Sequence, residues 1–104
     1  MAWTLLGIAG ILEIAFAFGM KWSGGFTRFV PALFTVATGL ASIFLLSFSL
    51  RTLPIGTAYA VWTGIGAAGT ATLGMIILGD SAAPLRMLCI MLILAGIIGL
   101  KLLS

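Results

Sequence analysis

The chain has 104 residues, 62% of them hydrophobic and 7% charged, with a net charge of +3 and a mean hydropathy of +1.34. A soluble domain carries roughly a quarter charged residues, and so short a chain has too little interior to hide this much apolar surface, so a water-soluble fold is excluded and the bilayer is the solvent. The absence of histidine, the single cysteine (Cys89) and the scattered basic residues also exclude a histidine-based metal site or triad, an internal disulfide and a nucleic-acid-binding surface.

A membrane-spanning helix needs about 20 mainly apolar residues, and the sequence supplies four such stretches. The first is expected from about Trp3 to Lys21, ending in WSGGFTR, where Gly24 and Gly25 break the helix. It is long and lacks a basic start, so it reads as a retained helix rather than a signal peptide. The second is expected from about Phe29 to Leu50, with Pro31 in its first turn, where a missing N–H costs little. RTLPIG then turns around Pro54 into a third span, from about Gly56 to Leu78. GDSAAP follows, and Pro84 opens the fourth span, from about Leu85 to Leu103. The expected fold is therefore one all-α integral membrane domain with four transmembrane helices, in which the short loops make consecutive helices antiparallel neighbours.

An even number of spans puts Arg51 and Lys101 on the face of the termini and Lys21, Arg28 and Arg86 on the other. The Lys/Arg bias that orients membrane proteins is nearly balanced here, so copies are expected to insert both ways. Four short helices enclose too little volume for an aqueous pathway. At least a dimer is expected, and mixed insertion permits an antiparallel one.

Glu13 is the only glutamate and lies about 15 Å into the first helix. A deep ionisable residue is a functional-site candidate by default, because it is costly in hydrocarbon. Ser42 in the second helix and Tyr59 and Trp62 in the third fall at comparable depth, and the last two share one helix side at i and i+3. Taken alone, Ser42 reads as a packing serine bonded to its own helix, and the two aromatics as members of the interfacial belt. That belt is the reading preferred for Trp3 and Trp22, while Lys21 and Lys101 snorkel to headgroups. Gly7, Gly10 and Ala17 flank Glu13 with small residues. Gly64, Gly66 and Gly69 lower the stability of the third helix, and Gly64 and Gly66 mark a candidate bend. In the fourth helix Ala95 and Gly99, with Gly96 beside them, show the small-xxx-small spacing of a close helix contact, here a candidate dimer seam.

A carboxyl in an apolar site holds a proton when empty and releases it when a cation arrives. Two copies near the midplane of an antiparallel dimer would titrate as a pair. A site that opens alternately to each side and is contested by proton and cation performs exchange. With no GxxxxGK[ST] nucleotide motif, the proton gradient is the available drive, and no cofactor is expected. The faces of Tyr59 and Trp62 could add cation–π attraction.

The strings GILEIAFAFGMKWSGGFTR, LPIGTAYAVWTGIGA and LAGIIGLK, spread over the whole chain, resemble the small multidrug resistance transporters, and most of all their guanidinium exporter branch (the SugE/Gdx type). The resemblance implies a multi-pass protein of the inner (plasma) membrane, an antiparallel homodimer, and proton-coupled export by alternating access. It implies that Glu13 binds both proton and substrate, and that Ser42 and Trp62 hydrogen-bond and orient it. Gly10 would lie close to the substrate, Tyr59 would line the site and take part in switching, and the fourth helix would carry the dimer contact. Guanidinium, planar and permanently charged, pairs bidentately with a carboxylate.

One position departs from the pattern. The branch usually has tryptophan where this chain has Phe16, in EIAF. Phenylalanine keeps an aromatic body at the site but has no N–H for Glu13, which implies relaxed selectivity that admits substituted guanidiniums or other small organic cations. The alternatives are a broader exporter of quaternary ammonium cations and a non-transporting accessory subunit of a heteromeric pair. An enzyme is not expected, because no nucleophile–base pair or metal-ligand cluster is present.

Overall fold

A computed structural model describes residues 1–103. Four helices account for most of the chain: α1 (Ala2–Trp22), α2 (Phe29–Ser49), α3 (Ile55–Ile77) and α4 (Pro84–Leu103). All four are long and apolar enough to cross a membrane. At 1.5 Å per residue they measure about 30–35 Å, matching a hydrocarbon layer of about 30 Å.

Local chemistry sets the helix ends. After α1, Gly24, Gly25 and Phe26 all take positive φ, a conformation glycine adopts without penalty and phenylalanine does not. Ser23 secures the turn: its Oγ donates to the Met20 carbonyl (2.8 Å) and accepts from the Phe26 N–H (2.9 Å). Pro31 sits in the first turn of α2, and its carbonyl accepts from Thr35 Oγ. Pro54 precedes α3, and Gly79 (φ +71°) lies just beyond its end. Pro84 opens α4.

The helices form a slab 16 Å thick, in the row α2–α1–α3–α4. Helix α1 is central and packs along both α2 and α3, whereas the backbone of α4 comes close only to α3. On α2 the residues facing α1 are Thr35, Gly39, Ser42, Leu46 and Ser49, all buried. Their 4-3-4-3 spacing is that of a coiled-coil seam, built from small and polar side chains as membrane helices require for close approach. Ser49 Oγ shares its proton between the Leu45 carbonyl of its own helix (3.1 Å) and the Ala2 carbonyl (3.3 Å), which sets the end of α2 beside the start of α1.

The buried apolar core is Leu6, Ala9, Leu46, Ala58 and Val61. It fills the half of the bundle near the start of α1, and Glu13 lies one helical turn beyond Ala9. Most other large apolar side chains are exposed, and on α4 only Ile90 is buried. Such a surface is stable only against lipid or another protein.

Candidate functional site

Residues from three helices converge beyond the core. Glu13 and Phe16 share a face of α1, Gly39 and Ser42 a face of α2, and Trp62 joins them from α3. Antiparallel packing sets Gly39 against Phe16 and Ser42 against the turn that carries Glu13. Glu13, Phe16, Gly39, Ser42 and Trp62 border one cavity of about 220 Å³, lined on the α2 side by Val36, Leu40 and Ile43, which are themselves exposed. Glu13 and Phe16 also border a second hollow, between α1 and α3, with Thr63, Gly66 and Thr70 across from them.

Within this site a short hydrogen-bond chain crosses three helices. Trp62 Nε1–H donates to Ser42 Oγ (2.9 Å), and Ser42 Oγ–H donates to the Ala9 carbonyl (2.6 Å). In an α-helix that carbonyl also accepts the N–H four residues on, which is that of Glu13. The relay therefore ends on the backbone below Glu13 rather than on its carboxyl. A hydroxyl has one proton to give; Ser42 gives it to Ala9, and the single indole proton of Trp62 goes to Ser42. The direct bonds from Ser42 and Trp62 to Glu13, implied by the family resemblance, are replaced here by this path through the Ala9 carbonyl.

Glu13 Oε2 is buried and has no hydrogen-bond partner. The carboxyl reaches toward α3 and lies against Gly66, where a Cβ would be 2.5 Å from Oε2 and 2.6 Å from Cδ. Gly66 is therefore the seat of the acid. Its neighbours are accounted for similarly: a Cβ at Gly64 would meet Ile97 of α4 at 2.9 Å, and one at Gly69 would collide with Ile14 of α1. Helix α3 is unbroken across all three glycines.

Phe16 presents its ring edge to Gly39, at 2.7 and 2.8 Å from where a Cβ would stand, and its remaining surface lines the cavity. Gly10 is not in the cavity; it faces Ile65, whose side chain occupies the space of a Cβ at 2.6 Å. Tyr59 is 56% exposed and does not line the cavity either; its ring stands 5.6 Å from that of Trp62 at 57°. It lies seven residues, about 10 Å, along α3 from Gly66. Ala95 and Gly96 are exposed, and Gly96 and Gly99 have open space where a Cβ would be. Trp3 packs on the core with Lys101 Nζ 5.6 Å from its ring centre, and Trp22 meets Phe34 edge to face. No cluster of three metal-ligating side chains forms among the described residues.

Sequence reasoning missed two participants. Ala9 acts through its carbonyl, which no residue type advertises. Gly39 had a usable signal, since it stands three residues before Ser42 and so on the same face.

The model of the Small Multidrug Resistance protein family matches residues 1–93. Similar proteins include a guanidinium exporter of Yersinia pseudotuberculosis, 58% identical over all of both chains. One of Citrobacter freundii is 57% identical over 98% of this chain and 97% of its own. A guanidinium exporter of Salmonella typhimurium is 53% identical over the same shares.

Proposed function

The chain belongs to the Small Multidrug Resistance family, and on that footing we propose that it exports guanidinium in exchange for protons, with Glu13 held in turn by a proton and by the cation. It is a multi-pass inner-membrane protein and a transporter rather than an enzyme. One observation carries the reading: a carboxyl with a buried, unpartnered oxygen, on a side chain that borders a cavity of about 220 Å³. An unpaired carboxylate is costly away from water, so the oxygen calls for a proton or a cationic donor. Guanidinium supplies paired N–H groups to a carboxylate, and the rings of Phe16 and Trp62 border the same cavity, where an aromatic ring attracts a cation.

The exchange balances simply. An entering guanidinium displaces the proton of the acid and pairs with the carboxylate; on the opposite side a proton displaces guanidinium, and the site returns. Competition for one group weakens guanidinium binding as pH falls, by about tenfold per pH unit where the acid is protonated in the empty site. The working unit in this reading is an antiparallel homodimer using alternating access. The exposed α4 and the nearly even basic residues of the two faces support it.

The test is transport by liposomes that contain only this polypeptide, with guanidinium uptake and the opposing proton flux followed at several pH values. Uptake that a proton gradient drives, that weakens when the guanidinium side is made acid, and that vanishes in Glu13→Gln is expected. Flux indifferent to pH, or surviving that substitution, overturns the exchange mechanism. A tetraalkylammonium carried in preference to guanidinium transfers the reading to the broader cation exporters.

A further inference from the structure

We infer that Gly39 sets the size of the cation the site accepts, acting as a positioning residue through the ring of Phe16. The inference rests on the transport reading above and adds to it a residue on a different helix from Glu13. Two ring carbons of Phe16 lie 2.7 and 2.8 Å from where a Cβ of residue 39 would be. Real Cβ atoms do not approach carbon that closely, so the ring occupies this place only because residue 39 has no side chain. Gly39 is buried in the seam between α1 and α2, so a methyl group there has nowhere else to go.

A ring displaced by that methyl moves away from the backbone of α2. Phe16 borders two hollows, and Glu13 borders both of them. A ring that moves into either removes volume beside the carboxyl that binds the cation. Guanidinium itself is small and planar. A guanidinium with an aromatic substituent must place the substituent along the apolar wall of Val36, Leu40 and Ile43, next to the displaced ring. Position 39 thus discriminates between cations by their bulk, although it carries no functional group.

The experiment compares phenylguanidinium with guanidinium as transported cation in liposomes containing the full chain. Gly39→Ala is expected to lower the ratio of phenylguanidinium to guanidinium transport about tenfold. Phe16→Leu alone moves the ratio the opposite way, and adding it to Gly39→Ala restores the original value. A merely structural role for Gly39 would lower both cations together and would not be rescued by a smaller residue at 16. A ratio unchanged by Gly39→Ala, or lowered without rescue, overturns the inference. Should Gly39→Ala fail to insert, Phe16→Leu decides alone: an unchanged ratio is equally fatal. Guanidinium transport missing from the unsubstituted chain would instead overturn the function reading, and this inference with it.

Discussion

The carboxyl of Glu13 lies where a side chain at Gly66 would have to be. Gly66→Ala must therefore swing the acid out of its seat or push α3 away, and guanidinium flux should fall at least about tenfold, since overpacking of this kind costs about 1–3 kcal/mol. Circular dichroism should show helix content unchanged, because alanine is the better helix former. The neighbouring relay yields a different test. Ser42→Ala leaves the part-buried Trp62 N–H without an acceptor, a loss of at most about 1–3 kcal/mol, the range for a fully buried group. In a Trp62→Phe background no donor is stranded, so the same substitution should cost distinctly less; denaturant unfolding in mild detergent measures that coupling. The side chains here were legible in the sequence because their chemistry is out of place in hydrocarbon: an acid, a hydroxyl and an indole at one depth. Their connections were not. Whether Ser42 donates to Glu13 or to the Ala9 carbonyl depends on ångström-level packing of α1 on α2, and a backbone carbonyl is the same at every position.

Helices are easier to read than single contacts. Four apolar runs punctuated by Gly24, Gly25, Pro31, Pro54 and Pro84 require four spans, because a helix start tolerates proline and a break favours glycine. The purpose of a glycine inside a helix is harder, since flexibility and close packing use the same residue. Three glycines of α3 each have a partner in space: Ile97 for Gly64, Glu13 for Gly66 and Ile14 for Gly69. A bend at Gly64 and Gly66 and this packing make different demands. If Gly64 serves the contact between α3 and α4, Gly64→Leu should lower stability by about 1–3 kcal/mol through overpacking, and Ile97→Ala should recover most of it. Thermal unfolding followed by circular dichroism reads both variants. A glycine needed only for bending would gain nothing from the change at Ile97.

The proposed pairing of two copies suits the shape of the slab. It is 16 Å thick against 41 and 35 Å in its other dimensions, and Glu13 borders a hollow between α1 and α3. Charge bears on how a second copy would lie. Ser49 bonded to Ala2, and Lys101 beside Trp3, put Arg51 and Lys101 on the face where α1 begins; Lys21, Arg28 and Arg86 stand at the opposite helix ends. Orientation in the membrane follows the Lys/Arg difference between faces, so a difference of one residue leaves both insertions accessible, whereas a larger difference should commit the chain. Ser81→Lys with Ala82→Lys weights one face, and Thr52→Lys with Arg28→Ala and Arg86→Ala weights the other. An antiparallel dimer needs both orientations, so each variant expressed alone should transport guanidinium at well under a tenth of the normal rate, by the avidity of Lys/Arg for one side. Coexpression of the two should restore transport, because every pair then contains one copy of each orientation. Full activity from either variant alone would mean that copies pair in parallel, and the two Glu13 carboxyls would then meet from the same side.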